Sequence, residues 1–298
     1  MYGVVEVGIG SPTTIYALRL DTGAATTCVG NMKPYVKTPT SLDTGNAVAI
    51  KGKAARFSIE EYLDALFVDG IGIRQSIEVA TQSSGYGNMD GMLGLRPNTK
   101  EFITVSDNLF NRRNINSDIV TISKDSVAFG SQLLQVANII YGPFTTTSPA
   151  NKYWGIDASL SYDGAAVISL TAVIIYHGDT PIALNTNSYI QLLAVTGALS
   201  DATTGYPAQA NCDGLSPLTL DFAGIVFNIP FDIYRWPGSE NAAIGGNPSK
   251  RYLAVQDLRT PYGSGLGSSL GWNTLKYLTV VLNTTNSQVR ISTIEIEI

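Results

Sequence analysis

The chain has 298 residues, of which 44% are hydrophobic and only 14% charged, with a net charge of -5 and a pI near 4.9. That length fills one large core or two of about 150 residues each, and an acidic chain poor in Lys and Arg is a poor partner for nucleic acid. One histidine, His177, and two distant cysteines, Cys28 and Cys212, argue against a zinc site and confine any Ser-His-Asp or Cys-His chemistry to a single imidazole.

No apolar run reaches membrane-spanning length, and Met1-Tyr2-Gly3 leads directly into a strand with no signal peptide ahead of it. Val4 to Gly10 alternates, Ser11-Pro12 turns the chain, and Ile15 to Leu20 alternates again. No helix pattern follows Gly8-Ile9-Gly10-Ser11, so it reads as a hairpin turn rather than a phosphate cradle. A longer alternating stretch runs from Val48 to Val68. Two short helices are predicted: Thr104 to Arg113, and Ser188 to Thr196, the latter capped by Thr186 or Asn187 and stopped by Gly197. Arg290 to Ile298 has the period of a strand. With no βαβ alternation, the class is mostly β.

A weak internal repeat divides the chain. Leu20-Asp21-Thr22-Gly23 follows one apolar strand and Ile174-Ile175-Tyr176-His177-Gly178 follows another. Each is completed downstream by an apolar-Gly element, Asp90 to Leu95 in the first half and Ser269 to Trp272 in the second. Two similar halves imply a bilobal β protein with a cleft between the lobes. The expected lobes are 1–143 and 144–298, parted where Gly, Pro and a Thr run interrupt the pattern between Tyr141 and Pro149.

Asp-Thr-Gly after an apolar strand proves little alone, but its context is long. Val7 to Pro12, Ile15 to Gly23, Val29-Gly30 and Asp90 to Leu95 resemble the pepsin-like aspartic proteases. Tyr35 to Thr38, Ser106 to Phe110, Ser148 to Ala150, Tyr153 to Ile156, Ala243 to Gly246 and Asn283 to Asn286 are similar to the secreted acid proteases of basidiomycete fungi within that family. The resemblance covers nearly the whole chain. It implies two aspartates, one from each lobe, that share a proton: the charged one activates water and the neutral one protonates the carbonyl oxygen. Asp21 is the first. The second is expected at position 176, which holds Tyr176.

Further departures cluster at the same chemistry. Thr22 is present, but the matching threonine position is His177, followed by Gly178. The hydroxyl residue expected after Gly23 is Ala24, and the expected Trp is Cys28. In the flap, Gly52 stands at the expected Tyr, while Lys53 and Ala55 replace glycines. A phenol, with a reference pKa of about 10, is no carboxylate-like base at acid pH. Asp179, three residues past Tyr176, is read first as a turn residue and second as a replacement acid. His177 is read as filling the old hydroxyl position, Cys28 as a small apolar filler unpaired with Cys212, and Lys53 as a solvated hairpin tip.

The expected function is therefore an inactive or severely impaired aspartic protease homologue that keeps a peptide-binding cleft. The alternatives are an active acid endopeptidase using Asp21 with Asp179 or Tyr176, and a storage, defence or carbohydrate-binding protein on the same fold. No cofactor and no metal are expected. A peptide or protein is the expected ligand, without nucleic acid or membrane, and the chain is expected to be a secreted, extracellular monomer. Asn283-Thr284-Thr285 is an N-glycosylation sequon, so Asn283 is a candidate glycan site. A single Asp21 facing a phenol is expected to titrate in the ordinary carboxylate range or below it.

Overall fold

A computed structural model describes residues 3–51, 56–83, 88–97, 103–130, 140–209 and 215–293. The chain falls into two compact units, one of Tyr2–Gln135 with Val281–Asn286 and one of Val136–Val280 with Ser287–Ile298. Gly52 and Lys53, expected in a flap, and Cys212 lie outside the described residues.

The N-terminal unit is built on β1 (Val4–Ile9), β2 (Thr14–Asp21), β3 (Cys28–Val29), β4 (Leu42–Lys51), β5 (Arg56–Val68), β6 (Ile71–Ser83) and β7 (Gly91–Gly94). These form one sheet in the order β1-β2-β7-β3-β6-β5-β4. Strand β1 pairs with β2 and also with β5, through Gly8 with Phe67 and Ile9 with Leu66, so the sheet closes on itself. Alternation supplies the interior: Tyr16, Leu18 and Leu20 of β2 are buried with Val7, Tyr62, Leu66, Ile77 and Leu93. The alternating Val48 to Val68 stretch is two antiparallel strands, β4 and β5, rather than one. A period of two carries through a hairpin, so the pattern alone does not reveal the reversal. Helix α1 (Val105–Asn111) follows, with Thr104 and Asp107 completing a capping box, and then the antiparallel pair β8 (Ile119–Ile122) and β9 (Val127–Phe129).

In the C-terminal unit, β10 (Ile140–Pro143) is followed by β11 (Gly155–Tyr162), β12 (Ala165–Ile175) and β13 (Ile182–Leu184). Helix α2 (Thr186–Thr196) begins two residues earlier than the sequence suggests, because Asn185 is the cap: its Oδ1 accepts the Ser188 N–H at 3.0 Å. Gly197 ends the helix with φ at 69°. Beyond it lie β14 (Leu199–Ser200), β15 (Pro207–Gln209), β16 (Leu218–Phe222), β17 (Ile225–Ile229), α3 (Phe231–Tyr234), β18 (Arg251–Tyr252), β19 (Val255–Asp257), β20 (Ser268–Leu270), α4 (Trp272–Leu275), β21 (Leu278–Asn283), which from Val281 on belongs to the N-terminal unit, and β22 (Gln288–Thr293). The main sheet runs β17-β16-β11-β12-β20-β13-β19, β14-β15-β18 forms a small second sheet, and β10 pairs with β22.

Each unit contains the same three-strand arrangement. In the N-terminal unit β2 lies parallel to β7, and β3 returns antiparallel on its other side. In the C-terminal unit β12 lies parallel to β20, and β13 returns antiparallel. The central strand is followed in each case by close backbone packing that only glycine permits. A Cβ on Gly94 would sit 2.3 Å from the Thr26 carbonyl oxygen, and one on Gly271 would sit 2.1 Å from that of Pro181. The internal repeat in the sequence is thus a repeat of topology, and it delivers one loop per unit, 21–24 and 176–179.

Candidate functional site

In the N-terminal unit, Asp21 ends β2 opposite Gly94, and its carbonyl accepts the Leu95 N–H at 2.9 Å. The chain then turns so that Gly23 and Ala24 both donate their N–H groups to Asp21 Oδ1, at 2.9 and 3.1 Å. Gly94 fits beneath the Ala24 carbonyl, which is why this turn lies flat on β7. Asp21 and Thr22 are buried, while Gly23 and Ala24 are half-buried. Asp21, Thr22, Gly23 and Ala24 therefore form one tight loop around the carboxylate.

The second oxygen of Asp21 is also engaged. Arg19 Nη2 donates to Asp21 Oδ2 at 3.1 Å, an ion pair whose side chains are 13% and 5% exposed. Reading by motif gave Arg19 no role. The available signal was its spacing, since residues i and i+2 of a strand share a face.

Burial raises the Asp21 carboxyl above its ordinary range, and the Arg19 charge and the two loop amides oppose that rise without cancelling it. The expectation of an ordinary or acid-shifted carboxyl is thus corrected in sign. It weighed hydrogen-bond donors more heavily than the desolvation of a side chain this deeply placed.

Cys28 is a free, buried cysteine on β3, and burial pushes its thiol up to about 12, with the Glu78 charge adding to the effect. A thiol so far from ionising is a packing group rather than a nucleophile.

In the C-terminal unit, the loop after β12 carries Tyr176, His177, Gly178 and Asp179. The Tyr176 N–H donates to the Leu270 carbonyl at 3.0 Å, and its half-buried side chain packs with Tyr153 and Leu266 against Ala150, Ala172 and Ile174. His177 is buried beside Trp272. Burial alone lowers its imidazole to about 3, so it is neutral at any ordinary pH. Asp179 fastens the loop: its Oδ1 accepts the Thr180 N–H at 2.7 Å, and its carbonyl accepts the Trp272 N–H at 2.7 Å.

Asn283, the sequon residue, is 1% exposed at the end of β21, and its Oδ1 accepts the Asn286 N–H at 3.0 Å. A glycan carried there would require this amide to leave the interior. Among the described residues no group of three or more His, Cys, Asp or Glu side chains is placed to hold a metal ion. No helix among them is long and apolar enough to cross a membrane.

These two loops, each seated on a parallel strand pair, agree with what comparison with known proteins finds. The chain is 34% identical over 317 residues to polyporopepsin of Irpex lacteus, spanning 97% of this chain and 93% of that protein. It superposes on the crystal structure of the aspartic proteinase from Irpex lacteus with a TM-score of 0.89 at 33% identity, over 98% of this chain and 94% of that one. The fold is accordingly the mostly β, pepsin-like one. Residues 2–294 match the eukaryotic aspartyl protease family, and to that family this chain belongs.

Proposed function

We propose that this chain is an aspartic peptidase homologue that binds peptide segments and hydrolyses them weakly or not at all. The observation that carries the reading is the internal repeat. The loop position in the C-terminal unit that matches Asp21 is held by Tyr176, which follows its β-strand as Asp21 ends its own. Peptide hydrolysis in this family needs a base and an acid of matched strength. A phenol with a reference pKa of about 10 supplies neither near pH 4. Losing one acid–base partner costs about 10²–10⁴ in rate.

Asp179 is the nearest substitute in sequence. Its loop-fastening hydrogen bonds favour the turn role over that of a replacement acid. His177, neutral and buried, does not supply a proton at acid pH. The ligand class we propose is an extended peptide or an exposed protein segment, bound without metal or cofactor, and the setting is extracellular.

A pepstatin-type inhibitor tests this reading, because its central hydroxyl requires two carboxylates. The inhibitor is expected to raise the melting temperature of this protein at acid pH no more than a matched peptide that lacks the hydroxyl. A rise several degrees larger with the hydroxyl present would contradict the proposal.

A further inference from the structure

Arg19 and Asp21 lie two residues apart on β2, and the strand's period of two puts them on one face. The interior of the closed sheet takes the alternate residues Leu18 and Leu20, both buried. Across the sheet Arg19 stands opposite Val4 of β1 and Met92 of β7, and Asp21 stands opposite Gly94, so none of these paired positions is charged. A carboxylate has two oxygens with which to accept protons and hydrogen bonds. Here Oδ1 accepts two loop amides and Oδ2 accepts Arg19.

We propose that Arg19 is a positioning residue that clamps the Oδ2 side of Asp21 as an ion pair and so opposes the proton sharing on which two-carboxylate chemistry depends. This deepens the reading of a hydrolytically impaired site. It adds an obstacle inside the N-terminal unit that is independent of Tyr176. A charge-assisted bond to a half-shielded guanidinium is stronger than a neutral one and favours the charged form of its acceptor, partly offsetting the rise that burial imposes on the Asp21 carboxyl. Proton sharing needs the opposite, a carboxyl equally able to keep its proton or lose it. Arg also suits this place better than Lys, because its planar fork retains directed N–H donors in a partly desolvated position.

The test is the titration midpoint of the Asp21 carboxyl, followed by carbon-detected NMR on the full chain labelled at aspartate and assigned with Asp21→Asn. An adjacent guanidinium lowers an aspartate midpoint by about 1–3 pH units. Arg19→Leu is therefore expected to move the Asp21 midpoint up by at least about one unit. Arg19→Lys is expected to restore most of that difference, since it returns the charge. If Arg19→Leu does not fold, Arg19→Gln and Arg19→Lys carry the comparison, with Gln expected to lie above Lys. An Asp21 midpoint that is the same in the wild type and the neutral variant would overturn the proposal, as would a fall. The midpoint reads the role of Arg19 whether or not the wild type cleaves peptides, so failure of this inference is distinct from failure of the proposed function.

Discussion

The imidazole of His177 lies 5.9 Å from the ring of Trp272, centroid to centroid, and both side chains are buried. His177 stands at the loop position where the family pattern leads one to expect a threonine. With its imidazole lowered to about 3 by burial, His177 binds fewer protons in the folded chain than in the unfolded one between pH 3 and its unperturbed value. Its contribution to stability is thus fully present above about pH 6.5 and is lost as pH falls toward 3, at up to ~1.4 kcal/mol per pH unit. As the single histidine in the chain, its ring proton gives one resolvable NMR signal. That signal is expected to show no titration step from pH 8 to pH 4. A step near pH 6.5 would show the ring to be solvated.

Asp118 works in the opposite direction. Burial pushes its carboxyl up to about 6, the neighbouring Asp107 charge adds to the rise, and hydrogen bonds from Ser106 and Thr284 oppose it. A carboxyl raised in the folded state stabilises the fold below its unfolded pKa, and this stability is lost as pH climbs from about 4 to about 6. Asp118→Asn removes the titration while keeping an oxygen for the Ser106 hydroxyl. The melting temperature of the variant relative to the wild type is expected to be more favourable at pH 7 than at pH 4. An equal difference at the two values would rule this out.

Gly94 and Gly271 have equivalent structural duties. A Cβ at either position would run into loop backbone, where no side-chain rotation relieves the clash. Overpacking of this kind costs about 1–3 kcal/mol or more. Gly94→Ala and Gly271→Ala are each expected to lower the denaturant midpoint by such an amount. Gly70→Ala is a poor control because its φ is 73°, which strains a Cβ even in open space. Ala17→Ser, on the opposite face of β2 from the buried Tyr16 and Leu18, is the better one and is expected to cost under about 0.5 kcal/mol.

The burial of Asn283 leads to a further expectation. Protein from a glycosylating host should carry an unmodified Asn283 in its folded, soluble fraction. Peptide mass spectrometry over residues 278–293 reads this directly. A glycan on most molecules would mean that β21 ends differently from its position in the structure.

Some of this architecture was legible in the sequence, and the boundary follows physical lines. Alternation located β1 and β2, because a sheet with one buried face imposes a period of two. It said nothing about partners: the parallel pairing of β2 with β7 was reachable only through the resemblance carried by Asp90 to Leu95. The pattern places the start of α1 at Thr104, whereas Thr104 is the cap of that helix and Asp107 completes its capping box. The Asn185 cap was displaced because Thr186 and Asn187 compete for the same role by composition. Arg19 passed unnoticed because a charged residue between buried leucines looks like an ordinary outward-facing strand position. The depth of His177 was hidden because burial is set by the Trp272 ring, almost a hundred residues downstream. The direction of the Asp21 shift was missed for the same reason, since desolvation depends on tertiary packing.

A single buried aspartate, clamped by Arg19 and matched in the repeat by Tyr176, is proposed not to sustain ordinary peptide hydrolysis. This is tested most directly by incubating the wild type and Tyr176→Asp with an unfolded protein substrate from about pH 3 to pH 6 and quantifying new amino termini. The wild type is expected to release fewer by about 10²–10⁴ than an active member of the family at equal concentration, and Tyr176→Asp alone is expected to leave most of that deficit in place, because Arg19, His177 and Gly52 are unchanged. Cleavage by the wild type at the rate of an active relative, abolished by Asp21→Asn, would contradict the account.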